Sequence, residues 1–109
     1  MIFKDRFTSA KTNFIVINKS TGDSKSSNRR NLTRSIRKIL LNNGSTTNSI
    51  NVRMWIQDAA GTQLNIVPSL DIPAKCGVVF KDGVAYNNLI YDLYVTTVSS
   101  DHNLTVIIK

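Results

Sequence analysis

The chain has 109 residues with a formal net charge of +7, a length that suits one domain and argues against a multidomain enzyme. All seven acidic residues are Asp and none is Glu. No run approaches the 18 or so apolar residues of a membrane helix, the Met1–Arg6 start reads as too polar for a secretory leader, and a lone Cys76 excludes an internal disulfide and most zinc sites while fitting a reducing compartment.

Composition favours strands. Val, Ile, Thr and the aromatics supply 39 residues, against 17 from Ala, Leu, Met and Gln. Asn, Ser and Thr supply 33, which suits a β fold with many polar turns. The charge is unevenly placed: residues 1–38 hold ten basic side chains against Asp5 and Asp23, a net +8, whereas residues 39–109 come to −1. That asymmetry reads as a basic N-terminal arm, residues 1–34, joined to a nearly neutral body, residues 35–109. Residues 19–28 contain no apolar side chain and cannot feed a core. Removing the arm is therefore expected to leave a folded body.

In chain order, Phe14-Ile15-Val16-Ile17 is a short apolar run that reads as a strand offered by the arm. Ser35–Leu41 fits a helical face through Leu32, Ile36, Ile39 and Leu40, but it also alternates and leads directly into a polar turn and a strand, so the strand reading is preferred. Ile50, Val52, Met54 and Ile56 alternate with polar neighbours and Trp55, a two-residue period. A turn at Asp58–Gly61 returns the chain through Gln63–Val67 as a hairpin. Pro73–Gly77 forms a corner at a sheet edge. Leu89, Tyr91, Leu93 and Val95 alternate again, and Leu104, Val106 and Ile108 close the chain as a last strand. Five to seven short strands joined by polar turns predict an all-β fold: an antiparallel β-sandwich, jelly-roll or immunoglobulin-like, with an extended N-terminal arm.

No catalytic or metal constellation emerges, so the chain is expected to be non-enzymatic and without a cofactor. His102 is read as a surface-turn residue, because a metal site or general base needs further partners. Cys76 has no second histidine to activate it and is read as a small corner residue. Trp55 is read as core in preference to an interface anchor, with Tyr91 also core and Tyr94 nearer the surface. Arg29, Arg30, Arg34, Arg37 and Lys38 place five positive charges within ten residues, a pattern that attracts polyanions or an acidic partner. Nucleic acid is the less favoured partner, since Phe14 is the only aromatic between residues 8 and 54. Phe14–Ile17 is the candidate for strand addition to a neighbour.

From Ser35 onward the succession Ile36-Arg-Lys-Ile-Leu-Leu-Asn42, Ile50-Asn-Val-Arg-Met-Trp-Ile56, Leu70-Asp-Ile-Pro-Ala74, Val78-Val-Phe80, Ile90-Tyr-Asp-Leu93 and Leu104-Thr-Val-Ile-Ile-Lys109 resembles small β-sandwich virion proteins of tailed bacteriophages, notably myoviruses of marine bacteria. The likeness spans about two-thirds of the chain and leaves residues 1–34 uncovered. Lys75-Cys76 stands where such proteins often have Gly and a small residue. The resemblance implies a virion component made in the host cytoplasm. Its role would be capsid decoration or, alternatively, a neck, tail or fibre attachment, present in several copies and contacting other virion proteins. A small nucleic-acid-binding β domain using the Arg29–Lys38 cluster is the remaining alternative.

Overall fold

Alternating apolar side chains bury one face of a strand and leave the other to solvent, so a chain dominated by such segments must stack sheets to hide the apolar faces. The computed structural model describes residues 3–19, 33–81, 84–87, 89–99 and 102–109, and among these every regular element is a strand. The strands are β1 (Phe3–Phe7), β2 (Phe14–Ile17), β3 (Thr33–Ile36), β4 (Ile39–Asn43), β5 (Ile50–Gln57), β6 (Gln63–Ile72), β7 (Gly77–Phe80), β8 (Val84–Asn87), β9 (Asp92–Val98) and β10 (Leu104–Ile108). They form two four-stranded sheets, ordered β1-β10-β4-β7 and β2-β9-β5-β6, and a two-stranded ribbon, β3-β8. All pairings are antiparallel.

The sheets pack against each other over one core. The first contributes Phe7, Ile39, Leu41, Leu104, Val106 and Ile108, the second Val16, Ile17, Val52, Met54, Val67, Leu93 and Val95, all buried. The β5 and β10 alternations fall as the sequence predicts, with Ile50, Val52, Met54 and Ile56 inward and Leu104, Val106 and Ile108 fully enclosed. Each such side chain contributes about 1.5–3 kcal/mol when fully buried.

Two buried polar groups are satisfied. Asn43 is fully buried; its Nδ2 donates to the carbonyls of Asn48 and Ile72, both at 2.9 Å, and its Oδ1 accepts from Ser45 N at 2.9 Å. One amide thus ties the β4–β5 connection to the end of β6. Thr97 Oγ1 accepts the Lys11 amide at 3.0 Å, and Thr97 N donates back to the Lys11 carbonyl at 2.8 Å, which laces the β1–β2 connection along β9.

Several expectations change. The basic arm is not an appendage over its whole length: β1 pairs with β10, β2 pairs with β9, and Phe7, Val16 and Ile17 enter the core. Of its polar stretch 19–28, all but Lys19 lies outside the described residues. The expected 34/35 boundary falls inside β3. Ser35–Leu41 is extended, as read, but divides into β3 and β4 because the Arg37 and Lys38 amides turn to the Lys109 carbonyl, at 2.7 and 3.2 Å. The strand expected from Leu89 starts at Asp92, since Asn87 holds a turn by accepting the amides of Leu89, Ile90 and Tyr91. The hairpin return extends to Ile72, and Pro68 is tolerated because β6 is an edge strand whose register slips there against β5. The ribbon strand β8 was not expected at all.

Two measurements follow from this packing. Deleting residues 1–34 strips a strand from each sheet, so the remainder is expected to show no cooperative thermal transition by circular dichroism, the reverse of what the charge pattern suggests. Asn43→Ala leaves buried backbone groups without their partners and is expected to lower stability by about 3 kcal/mol in urea unfolding.

Candidate docking faces

In an antiparallel sheet, residues opposite one another share a face, so the register dictates what each outer surface presents. On the first sheet Lys4, Ile107, Leu40 and Val79 form one outward row across all four strands, and Arg6, Thr105, Asn42 and Gly77 form the next. Leu40 and Ile107 are half-buried and Val79 is 41 % exposed. The row is thus an aliphatic stripe entered at one end by a lysine.

The β4–β10 ladder runs one pair further. Lys109 N donates to the Lys38 carbonyl at 2.9 Å and Lys38 N donates back at 3.2 Å, so the two lysines stand directly opposite each other. Together with Leu40 and Ile107 their side chains line a shallow hollow. Lys81, just beyond β7, is exposed. None of Lys4, Lys38, Lys81 or Lys109 is ion-paired with a described residue. Among the described acidic groups, Asp58, Asp71 and Asp92 belong to the second sheet or its β5–β6 turn, and Asp5, on the inward-facing row of β1, accepts the Arg6 amide at 2.8 Å.

The outer face of the second sheet is different. Trp55 stacks on Tyr94, with centroids 5.5 Å apart and planes 8° from parallel, and the Arg53 guanidinium lies 4.5 Å from the Trp55 ring. Arg53 also donates to Asn65 Oδ1 and Gln63 Oε1, at 3.2 and 2.7 Å, and Trp55 Nε1 donates to Gln57 Oε1 at 3.0 Å. Asn51 Nδ2 donates to Ser69 Oγ and Asp71 Oδ1. Trp55 is only 1 % exposed, so it is buried, yet on the face away from the shared core and beneath its own neighbours. This face has satisfied its polar groups internally and offers no open aromatic platform.

The residues singled out by sequence are scattered. Arg29 and Arg30 lie outside the described residues. Arg34 lies on β3 in register with Tyr86, Arg37 is exposed between β3 and β4, and Lys38 is half-buried in the hollow. Phe14, Ile15, Val16 and Ile17 form β2, which pairs with β9 on one side and is the edge strand of its sheet. Tyr91 packs half-buried against the core and Tyr86 is buried in it. His102 is half-buried just before β10, its Nε2 2.8 Å from Thr97 Oγ1. Cys76 is exposed and does not fill its corner. That corner places Lys75 at φ 63°, a left-handed conformation that glycine adopts with less strain. Among the described residues no group of three or more His, Cys, Asp or Glu is placed to hold a metal ion. Comparison with protein-family models, curated proteins and solved structures finds no match to any of them.

Sequence reading missed the opposition of Lys38 and Lys109, which are 71 positions apart and meet only through the register. Like charges directly opposite in a ladder destabilise it, whereas opposite charges contribute about 0.2–1 kcal/mol. Lys38→Glu is therefore expected to stabilise the fold by about that amount in thermal or urea unfolding, with the gain shrinking as salt is added.

Proposed function

We propose that this chain is a non-enzymatic structural protein of a tailed-phage virion, a decoration or cement protein that docks on neighbouring virion subunits through a jelly-roll sandwich. Leaving aside the β3-β8 ribbon, eight strands wind between two sheets, changing sheet at every step except the β5–β6 hairpin, in the orders β1-β10-β4-β7 and β2-β9-β5-β6. That winding favours the jelly roll, an architecture used by viral capsid domains, over the immunoglobulin-like alternative, which groups its strands as ABED and CFG. The ribbon strands lie in the β2–β4 and β7–β9 connections, which a jelly roll brings to the same end. The resemblance of residues 35–109 to phage virion proteins points the same way.

The observation that supports docking most directly is the outer face of the first sheet, an aliphatic stripe edged by cations that have no partner in the described chain. Interfaces combine an apolar centre with a charged rim in this way. The test is quantitative mass spectrometry of purified phage particles, with heads and tails separated. A fixed copy number on heads is expected; recovery only with tails would move the role to a neck, tail or fibre position. Production in infected cells together with absence from particles would overturn the reading.

A further inference from the structure

We infer that the docking face is the outer surface of β1-β10-β4-β7 and that its occupant is an acidic protein surface, whose carboxylates meet Lys4, Lys38, Lys81 and Lys109 around the Leu40–Ile107 stripe. The inference rests on the structural-protein reading and names the partner chemistry of that site. Its starting point is the lysine pair. The backbone exchange between Lys38 and Lys109 sets two ammonium-bearing side chains opposite each other on one face, an arrangement that opposes folding. Neither has a carboxylate within ion-pair distance among the described residues. The hollow between them is floored by Leu40 and Ile107, so an entering acidic group gains two cations while aliphatic surface beside it leaves water.

Three alternatives fit less well. Nucleic acid is recognised on open strands by aromatic stacking, and the two outward rows of this face hold only Lys4, Ile107, Leu40, Val79, Arg6, Thr105, Asn42 and Gly77. A second copy docked through the same face would set one lysine-bearing surface against another, without the carboxylates that would offset the charge. The opposite outer face is committed to its own Arg53–Trp55–Gln57–Gln63 contacts, and among the described residues it presents no comparable cluster of cations. The described carboxylates of the body, Asp58, Asp71 and Asp92, lie on the second sheet or its β5–β6 turn, away from the first sheet's outer face.

The test uses the full chain and particles assembled without it. Lys38→Glu is expected to weaken binding to those particles about tenfold while raising the melting temperature, a combination that a merely misfolded variant does not produce. Lys75→Glu, an equal charge reversal at the far end of β7, is expected to leave affinity within about twofold. Poly-L-glutamate is expected to displace the chain from particles, and a 20-base-pair DNA duplex of comparable charge is not. Undiminished binding by Lys38→Glu, an equal loss with Lys75→Glu, or displacement by DNA alone would overturn the assignment. If the unaltered chain does not bind particles, the virion reading fails by itself. The face is then judged by nuclear magnetic resonance titration with poly-L-glutamate: shifts centred on Leu40 and Ile107 uphold it, and shifts elsewhere sink it.

Discussion

Two sheets can hide each other only if every strand keeps its apolar side chains on one side, and that requirement governs this molecule. Leu104, Val106 and Ile108 on β10 and Val52 and Met54 on β5 supply the middle of the core, and the flanking strands align to them by register. Asn43 and Thr97, two of the three polar residues buried among the described residues, each complete the backbone hydrogen bonds of a neighbouring segment. Once the inward faces are assigned, the composition of the outward faces follows without freedom, since a slip of one residue would exchange them.

How much of this was legible from sequence depended on whether the information was local. The alternation of Ile50–Ile56 and Leu104–Ile108 is a local pattern, and it identified β5 and β10. The arm was misjudged because its eight basic residues outweighed a few apolar ones: Phe7 sits in the short edge strand β1 beside Lys4, Asp5 and Arg6, and Val16 and Ile17 lie in β2, an apolar edge strand of only four residues. Edge strands commonly use such charges to discourage unwanted pairing, so a basic segment and an edge strand read alike. The split between β3 and β4 and the meeting of Lys38 with Lys109 depend on hydrogen bonds between distant parts of the chain, and no local pattern encodes them. Tyr86 is buried in the core by partners that only the topology brings near, whereas Trp55, read as a buried residue, is buried, with Arg53 and Gln57 two positions away among its contacts.

The two outer faces illustrate different uses of polar side chains on similar scaffolds. On the second sheet, Arg53 is stacked and hydrogen-bonded, so its charge is held in a fixed position by neighbours and contributes to rigidity. On the first sheet, lysines with long flexible stems surround half-buried aliphatics. Flexible ammonium groups adapt to an imperfectly matched acidic surface better than a locked guanidinium does. On the proposed docking role, that tolerance would suit settling onto many equivalent positions of a repeating surface.

The position of β10 has a consequence for how the molecule comes into being. It lies between β1 and β4, yet it is the last strand in the sequence, so the Phe3–Ile108 pairing joins segments separated by nearly the whole chain. Folds dominated by such distant pairings form slowly, over milliseconds to seconds. During synthesis β1 and β4 emerge long before the strand that unites them, and each is an unpaired edge inviting association with another nascent chain. Lys4 and Arg6 on β1, exposed in the finished fold, supply like-charge repulsion through that interval. The basic character of the N-terminal segment thus serves the growing chain before it serves the folded one.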